Sequence, residues 1–378
     1  MKIVIVGAGP VGCYTAQLLK NNGIKAKIIE EDEEIGKPIK CAGLVGHQVF
    51  ENLLLPPDKN SIINQINGAS FFYHGDSFQI NRERVAYVID REKFDKNFAD
   101  EIEVECGKRL VKIEAKGSGY LLKTTNETID ADLVIGADGA NSTIRKFINY
   151  DEDENVARGK RGDCIKNYLG LQYRIKLRES LPSAEFTQVY LQEGMPFFIW
   201  VIPESNYIIR VGTISKNAPK DLKEFLRHFK CKGEIIGKLT GIIPVGTSRN
   251  YFRNIALVGD AAAQVKPLTG GGIYYGLKSA ELLVQSISEG KLCEYEKRLK
   301  RKFGREINFG LKARKLYEEI NEKKLKNIFN LFKQNAEFIE KAAHFENHSL
   351  LFLEILKNPK IFKEVGKILS GNIMKLLF

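Results

Sequence analysis

The chain opens with Lys-Ile-Val-Ile-Val over residues 2–6, a nearly unbroken apolar run of the kind covered on both faces in a parallel sheet. Gly-Ala-Gly-Pro-Val-Gly (7–12) interrupts it. The next stretch spaces its apolar residues as a helix does and ends at Gly23, a residue suited to a C-cap. Residues 25–30 read as a second strand, completing a β-α-β unit. Residues 39–90 are mixed, with Gly and Pro breaks and strand-like pieces such as 71–80. A helix is expected over 91–101, strands near 104–114 and 119–125, and a buried strand at 132–138. From 165 to 215 four alternating segments suggest an antiparallel sheet, with a hairpin at Glu204-Ser205-Asn206. A further buried strand leads to Gly259-Asp260. A glycine-rich loop follows, then a helix over about 273–289, and 294–378 is helical in pattern almost throughout.

This order predicts an α/β chain with a Rossmann-type nucleotide-binding domain, an inserted antiparallel-sheet substrate domain and a helical C-terminal region. The expected boundaries are 1–164 for the first part of the nucleotide domain, with substrate-side segments near 45–90. The substrate domain takes 165–250, the closing part of the nucleotide domain 251–290, and the helical region 291–378. A length of 378 residues accommodates two domains. No apolar stretch reaches the roughly 18 residues of a spanning helix, and the N-terminus runs straight into a strand without signal-peptide features. The six cysteines (13, 41, 106, 164, 231, 293) form no CxxC pair, and the five histidines are isolated. Disulfide scaffold, iron–sulfur cluster and metal centre are therefore all poor readings, and a cytoplasmic setting is expected.

Net charge is +11, and residues 291–378 hold most of the excess, with 20 Lys and Arg against 11 Glu. The basic residues are interleaved with Leu, Ile and Phe. That points to peripheral contact with an anionic membrane on its inner face, or with a protein, rather than to nucleic acid. A helical cover over the core explains the same pattern.

Three motifs carry the candidate chemistry. Gly7, Gly9 and Gly12 form GxGxxG between strand and helix, which brings a pyrophosphate to bare backbone amides at a helix N-terminus. Glu30, at the end of the second strand, is placed to accept ribose hydroxyls and would repel a 2′-phosphate. Farther on, Asp260 at a strand end can hold the hydroxyls of a sugar-alcohol chain, while Gly271 and Gly272 let amides approach a ring system. A nicotinamide dehydrogenase needs no such second turn; a ribityl-isoalloxazine does. The third motif is Asp138-Gly139 with Ser142 and Arg145, which resembles the Asp-Gly motif of flavoprotein hydroxylases.

Within that superfamily the chain most resembles the geranylgeranyl reductase family, which includes archaeal digeranylgeranylglycerophospholipid reductases. Lys37–Gly46 is similar to the family's Pro-x-x-Cys loop, and Arg91 matches its FAD-flanking arginine. Residues 197–212 resemble its Tyr-x-Trp-x-Phe-Pro segment, with Phe198 for the Tyr, Ile202 for the Phe, and Ile214 for the last Gly of the following Gly-x-Gly. The resemblance covers about 1–290. It implies FAD as cofactor, with Val11, Cys41, Ala42, Leu110 and Ile273 joining the residues above around it. It also implies Cys41 as a catalytic proton donor and Phe198, Trp200 and Ile202 as the wall of an isoprenoid channel. Taken alone, Cys41 also reads as a small buried apolar residue, Trp200 equally as core, and His47 as a surface residue or a proton donor.

The activity this implies is saturation of isolated C=C bonds in geranylgeranyl chains of a membrane-lipid precursor. The electron donor is open among NAD(P)H, a reduced deazaflavin and a ferredoxin-like protein. A flavin-dependent monooxygenase, or a membrane-docked electron-transfer flavoprotein, would share the fold.

Overall fold

The computed structural model describes residues 1–151, 164–229 and 232–369. Its first sheet has six strands in the order Tyr251–Phe252, Ile255–Leu257, Leu133–Gly136, Ile3–Val6, Ala26–Ile29, Val104–Glu105. All neighbours are parallel except the first pair. The opening strand sits inside this sheet, which is why it has no polar face: Ile3 and Ile5 face one side, Val4 and Val6 the other. The helices Pro10–Asn21 and Ile273–Ser288 cover the first side. The small sheet Leu110–Ala131 and the helix Thr143–Asp151 cover the second.

The second sheet has eight strands, ordered Gly233–Thr247, Cys164–Leu177, Ile208–Ile214, Ile199–Pro203, Thr187–Tyr190, Ile62–Tyr73, Asp76–Ile89, Leu44–Gly46. It is antiparallel apart from the pairing of Thr187–Tyr190 with Ile62–Tyr73, which makes it mixed. The long hairpin Ile62–Ile89 thus belongs to this sheet and delivers its end, Asp90-Arg91, back to the first. Asp90 caps the helix Arg91–Ala99 by accepting the amides of Glu92 and Lys93, which fixes Arg91 at its first turn.

The last fifth is five helices between Tyr295 and Leu369. The first, Tyr295–Glu318, packs inward through Leu299, Phe303 and Gly310, with Tyr275 stacked on Phe303. No helix among the described residues is long and apolar enough to cross a membrane.

Candidate active site

The first glycine loop is shaped by contact. A Cβ on Gly12 would lie 2.0 Å from the carbonyl oxygen of Gly7, so helix and loop close on each other only with glycine there. A Cβ on Gly9 would meet nothing within 4 Å. The helix behind it starts with Pro10 and has no side-chain cap, so its first amides remain available for an anion. Glu30 accepts the amides of Ala8 at 2.5 Å and Asp32 at 3.0 Å, which locks its carboxylate beside the loop. Gly7, Gly9, Glu30, Arg91 and Leu110 line one cleft of about 280 Å³.

Arg91 joins this cleft to the remaining candidates. Its guanidinium pairs with both oxygens of Asp95, at 3.0 and 2.8 Å, and lies near enough to Cys41 for the two to interact electrostatically. Burial works against its charge, yet Asp95 and Cys41 hold its pKa above the ordinary arginine value. Arg91 and Arg145 also act on Asp260. Burial raises that carboxyl to about 6 against the pull of both arginines, and it accepts no hydrogen bond from any described residue. Asp260 Oδ1 lies against Gly272, 2.9 Å from where a Cβ would stand. Val11 packs on Gly259 and Gly276, so the two glycine loops meet back to back, with Ile273 opening the helix between them.

These features fit FAD: free amides and an open glycine for the pyrophosphate, Glu30 for a ribose, and a half-buried carboxylate with no donor among the described residues where the sugar-alcohol chain would run. The Asp138 carboxylate does other work. It caps the helix from Thr143 by accepting Ser142 Oγ and two amides, and Arg145 then ties this corner to the carbonyls of Asp260 and Ala261.

Cys41 follows the residues 36–40 that line the cleft and precedes Ala42 and Leu44 of an apolar cluster. Its sulfur accepts the Gly43 amide at 3.4 Å, and Gly43 sits at φ +71°, a conformation that favours glycine. Ala42 packs on a buried cluster of Ile66, Ala86, Val88 and Ile202, which Leu44, Trp200 and Phe345 also cover. Phe198 stands just outside that group, its ring 6.4 Å from Trp200. The indole of Trp200 lies over Gly212, where a Cβ would come within 2.4 Å of it, and donates to Gln172 Oε1 at 2.8 Å. His47 is half-buried and faces Glu51 at 3.3 Å, away from Cys41's partners.

The sequence reading missed several residues that hold this arrangement. Buried Arg210 donates to the carbonyls of Ala42 and Ile89 and to Glu204. Burial raises the Glu204 carboxyl, but Arg174 and Arg210 outweigh it and hold it below its ordinary value. Arg314, buried in the C-terminal region, donates to the carbonyls of Pro267 and Leu268 and stacks on Phe197; burial lowers its pKa to about 10. Gln172 and Arg210 did carry a signal: they are polar residues among the apolar neighbours of their strands, and both are buried.

The FAD binding domain family matches residues 1–45. An uncharacterized protein of Methanocaldococcus jannaschii is 30% identical over 95% of both chains. The digeranylgeranylglycerophospholipid reductase of Methanococcus vannielii is 28% identical, covering 96% of this chain and 97% of its own. The solved structure of a geranylgeranyl bacteriochlorophyll reductase-like protein from Thermoplasma acidophilum shares the fold, with a TM-score of 0.78, 23% identity, and coverage of 97% of this chain and 98% of that one. The chain belongs to the geranylgeranyl reductase family. As a member of that family it is a FAD-dependent oxidoreductase, and its α/β architecture is the one shared by FAD-binding reductases and hydroxylases.

Proposed function

We propose that this geranylgeranyl reductase saturates isolated C=C bonds in geranylgeranyl chains of a membrane-lipid precursor, as in archaeal ether-lipid synthesis. One observation carries the reading: the Cys41 loop lies between the cleft that fits FAD and the apolar group of Ala42, Leu44, Trp200, Ile202 and Phe345. The names of the relatives favour a reductase over a monooxygenase or an electron-transfer flavoprotein.

When bound and reduced, FAD supplies a hydride to one alkene carbon. Cys41 supplies the proton to the other, directly or through a water held at its sulfur, so that H⁻ and H⁺ together saturate the bond. Arg91, fixed by Asp95, holds the thiol in place. The apolar wall excludes water and sets the alkene beside the ring, where proximity is worth roughly 7–11 kcal/mol. Glu30 and Asp260 orient the cofactor by accepting hydroxyl donors, each charge-assisted bond worth about 1.5–3 kcal/mol.

Anaerobic dithionite-reduced protein mixed with geranylgeranyl lipid should yield mass increments of two daltons per bond. Unchanged lipid beside fully reduced, bound FAD rejects the reading.

The lipid would be met at a membrane. Lys297, Arg301, Arg305, Lys312 and Lys315 run down one side of the helix Tyr295–Glu318, and no described carboxylate pairs with any of them. Reversing Arg301 and Arg305 to Glu should abolish salt-sensitive co-sedimentation with anionic vesicles. Wild-type protein that binds neutral vesicles equally well rules this contact out.

A further inference from the structure

Behind the second glycine loop lies an ion pair that the chemistry above does not use. Lys266 is only 4% exposed although it sits in that loop. Its backbone holds the turn: its amide donates to Gly271 O at 2.9 Å, and its carbonyl accepts from Gly270 at 2.8 Å. Its side chain then runs along Gly271, where a Cβ would lie 2.9 Å from Cε and 3.5 Å from Nζ. The ammonium ends 3.0 Å from Glu346 Oε2, bonded to Phe345 O at 2.9 Å and facing the Phe345 ring at 4.2 Å.

Glu346 comes from the C-terminal region, between the helices Ala336–Ala342 and His348–Lys357. Its side chain is 3% exposed, and its carbonyl accepts the Tyr275 hydroxyl at 2.8 Å. Its other carboxylate oxygen presses on Gly46, the end of the Cys41 loop, where a Cβ would be 2.4 Å away. Phe345 meanwhile packs on the buried cluster of Ile66, Ala86, Val88 and Ile202, as Ala42 and Trp200 also do. One short segment of the helical region thus touches the glycine loop, the Cys41 loop and the apolar wall together.

A buried ion pair stabilises a fold poorly, because desolvation of both charges offsets their attraction. Its position suggests a different use. A neutral oxidised flavin ring that takes up two electrons and one proton is left with one negative charge, and nearby protein charge sets how readily that happens. We infer that Lys266 and Glu346 set the reduction potential of the bound flavin. Lys266 favours the reduced, anionic ring, and Glu346 restrains that effect. The inference rests on the reading that the Gly271-Gly272 turn receives the ring. Asp260, against Gly272, and the two arginines that act on it, Arg91 and Arg145, are further charges near this turn.

The test is the midpoint potential of FAD-loaded protein, measured by equilibration with reference dyes. Lys266→Met should disfavour two-electron reduction about tenfold, a downward shift of about 30 mV, and Glu346→Gln should favour it by a similar factor. The double variant should return toward wild type. FAD content and thermal unfolding are recorded for each variant. Should Lys266→Met fail to fold, Glu346→Gln and the double variant carry the test. Shifts of the same sign, or none, with FAD bound overturn the inference and leave the FAD site standing. A wild-type protein that takes up no FAD overturns the underlying reading instead.

Discussion

Arg210 reaches 168 residues back along the chain to donate a hydrogen bond to the carbonyl oxygen of Ala42, at 2.7 Å. The same guanidinium binds Ile89 O at 3.1 Å and Glu204 at 2.6 Å, so one side chain of the eight-stranded sheet fixes both ends of the Cys41 corner. Arg210→Met should cost about 1–3 kcal/mol, because it leaves two interior carbonyls without their donor and Glu204 with Arg174 alone. Urea unfolding of the FAD-loaded protein checks this, and adding Glu204→Gln should recover part of the loss. A cost under about 0.5 kcal/mol, typical of a surface position, would show that the corner holds itself.

Trp200 offers a direct optical test, since it is the chain's single tryptophan. Gln172→Leu removes the partner of its N–H, at a net cost of about 0.5–1.5 kcal/mol. Gly212→Ala forces the ring off its seat outright. Both variants should alter indole emission and weaken turnover of geranylgeranyl lipid while FAD affinity stays normal. Addition of that lipid to wild-type protein should change the emission as well. If emission ignores the lipid and Gly212→Ala turns over normally, Trp200 belongs to the core and not to the channel.

The contrast between Glu30 and Lys266 shows what a sequence of this kind discloses. Glu30 lies within one β-α-β unit, where chain geometry alone brings it to the glycine loop, so its place could be read from spacing. The same holds for the buried opening strand, whose apolar run has only one use. Lys266 meets Glu346 across 80 residues of chain, and Arg210 meets Ala42 across a whole sheet; no local pattern encodes either pairing. The mixed character of the second sheet escaped notice for the same reason. The short strand Thr187–Tyr190 reads identically whether its neighbour runs with it or against it. Basic residues of the C-terminal region read as a surface, yet Arg314 turns inward to the carbonyls of Pro267 and Leu268, and Glu346 to Lys266.

For Cys41 the question is chemistry against packing. Serine keeps the size of the side chain but is a poorer acid. If the thiol supplies or relays the proton, Cys41→Ser should retain its flavin spectrum and slow single-turnover alkene reduction by 10²–10⁴, the usual worth of general acid assistance. Reduction of the flavin by dithionite should be unaffected. A wild-type rate per bound flavin would remove Cys41 from the mechanism and leave it as a brace for Arg91.

Asp260 makes cofactor binding depend on pH in a definite direction. In the protein without FAD, burial raises its carboxyl to about 6 from the ordinary 3.8. Hydroxyl donors of the cofactor favour the ionised form, so binding below that pH must first expel a proton. FAD affinity should therefore be flat above about pH 7 and fall toward tenfold per unit below 6. Asp260→Asn should bind FAD more weakly near neutrality and lose the pH dependence. Its effect on the empty protein has the opposite sign. The native state holds a proton between pH 3.8 and 6 that the unfolded chain releases, so the ionised carboxylate is a penalty fully present above 6 and gone below about 3.8. Asparagine removes that penalty, and the empty variant should be more stable than wild type at neutral pH, by up to about 3 kcal/mol. Titration of apoprotein with FAD across pH, together with urea unfolding of both apoproteins, measures the two signs separately. Affinity indifferent to pH in the wild type would mean that Asp260 does not face the cofactor.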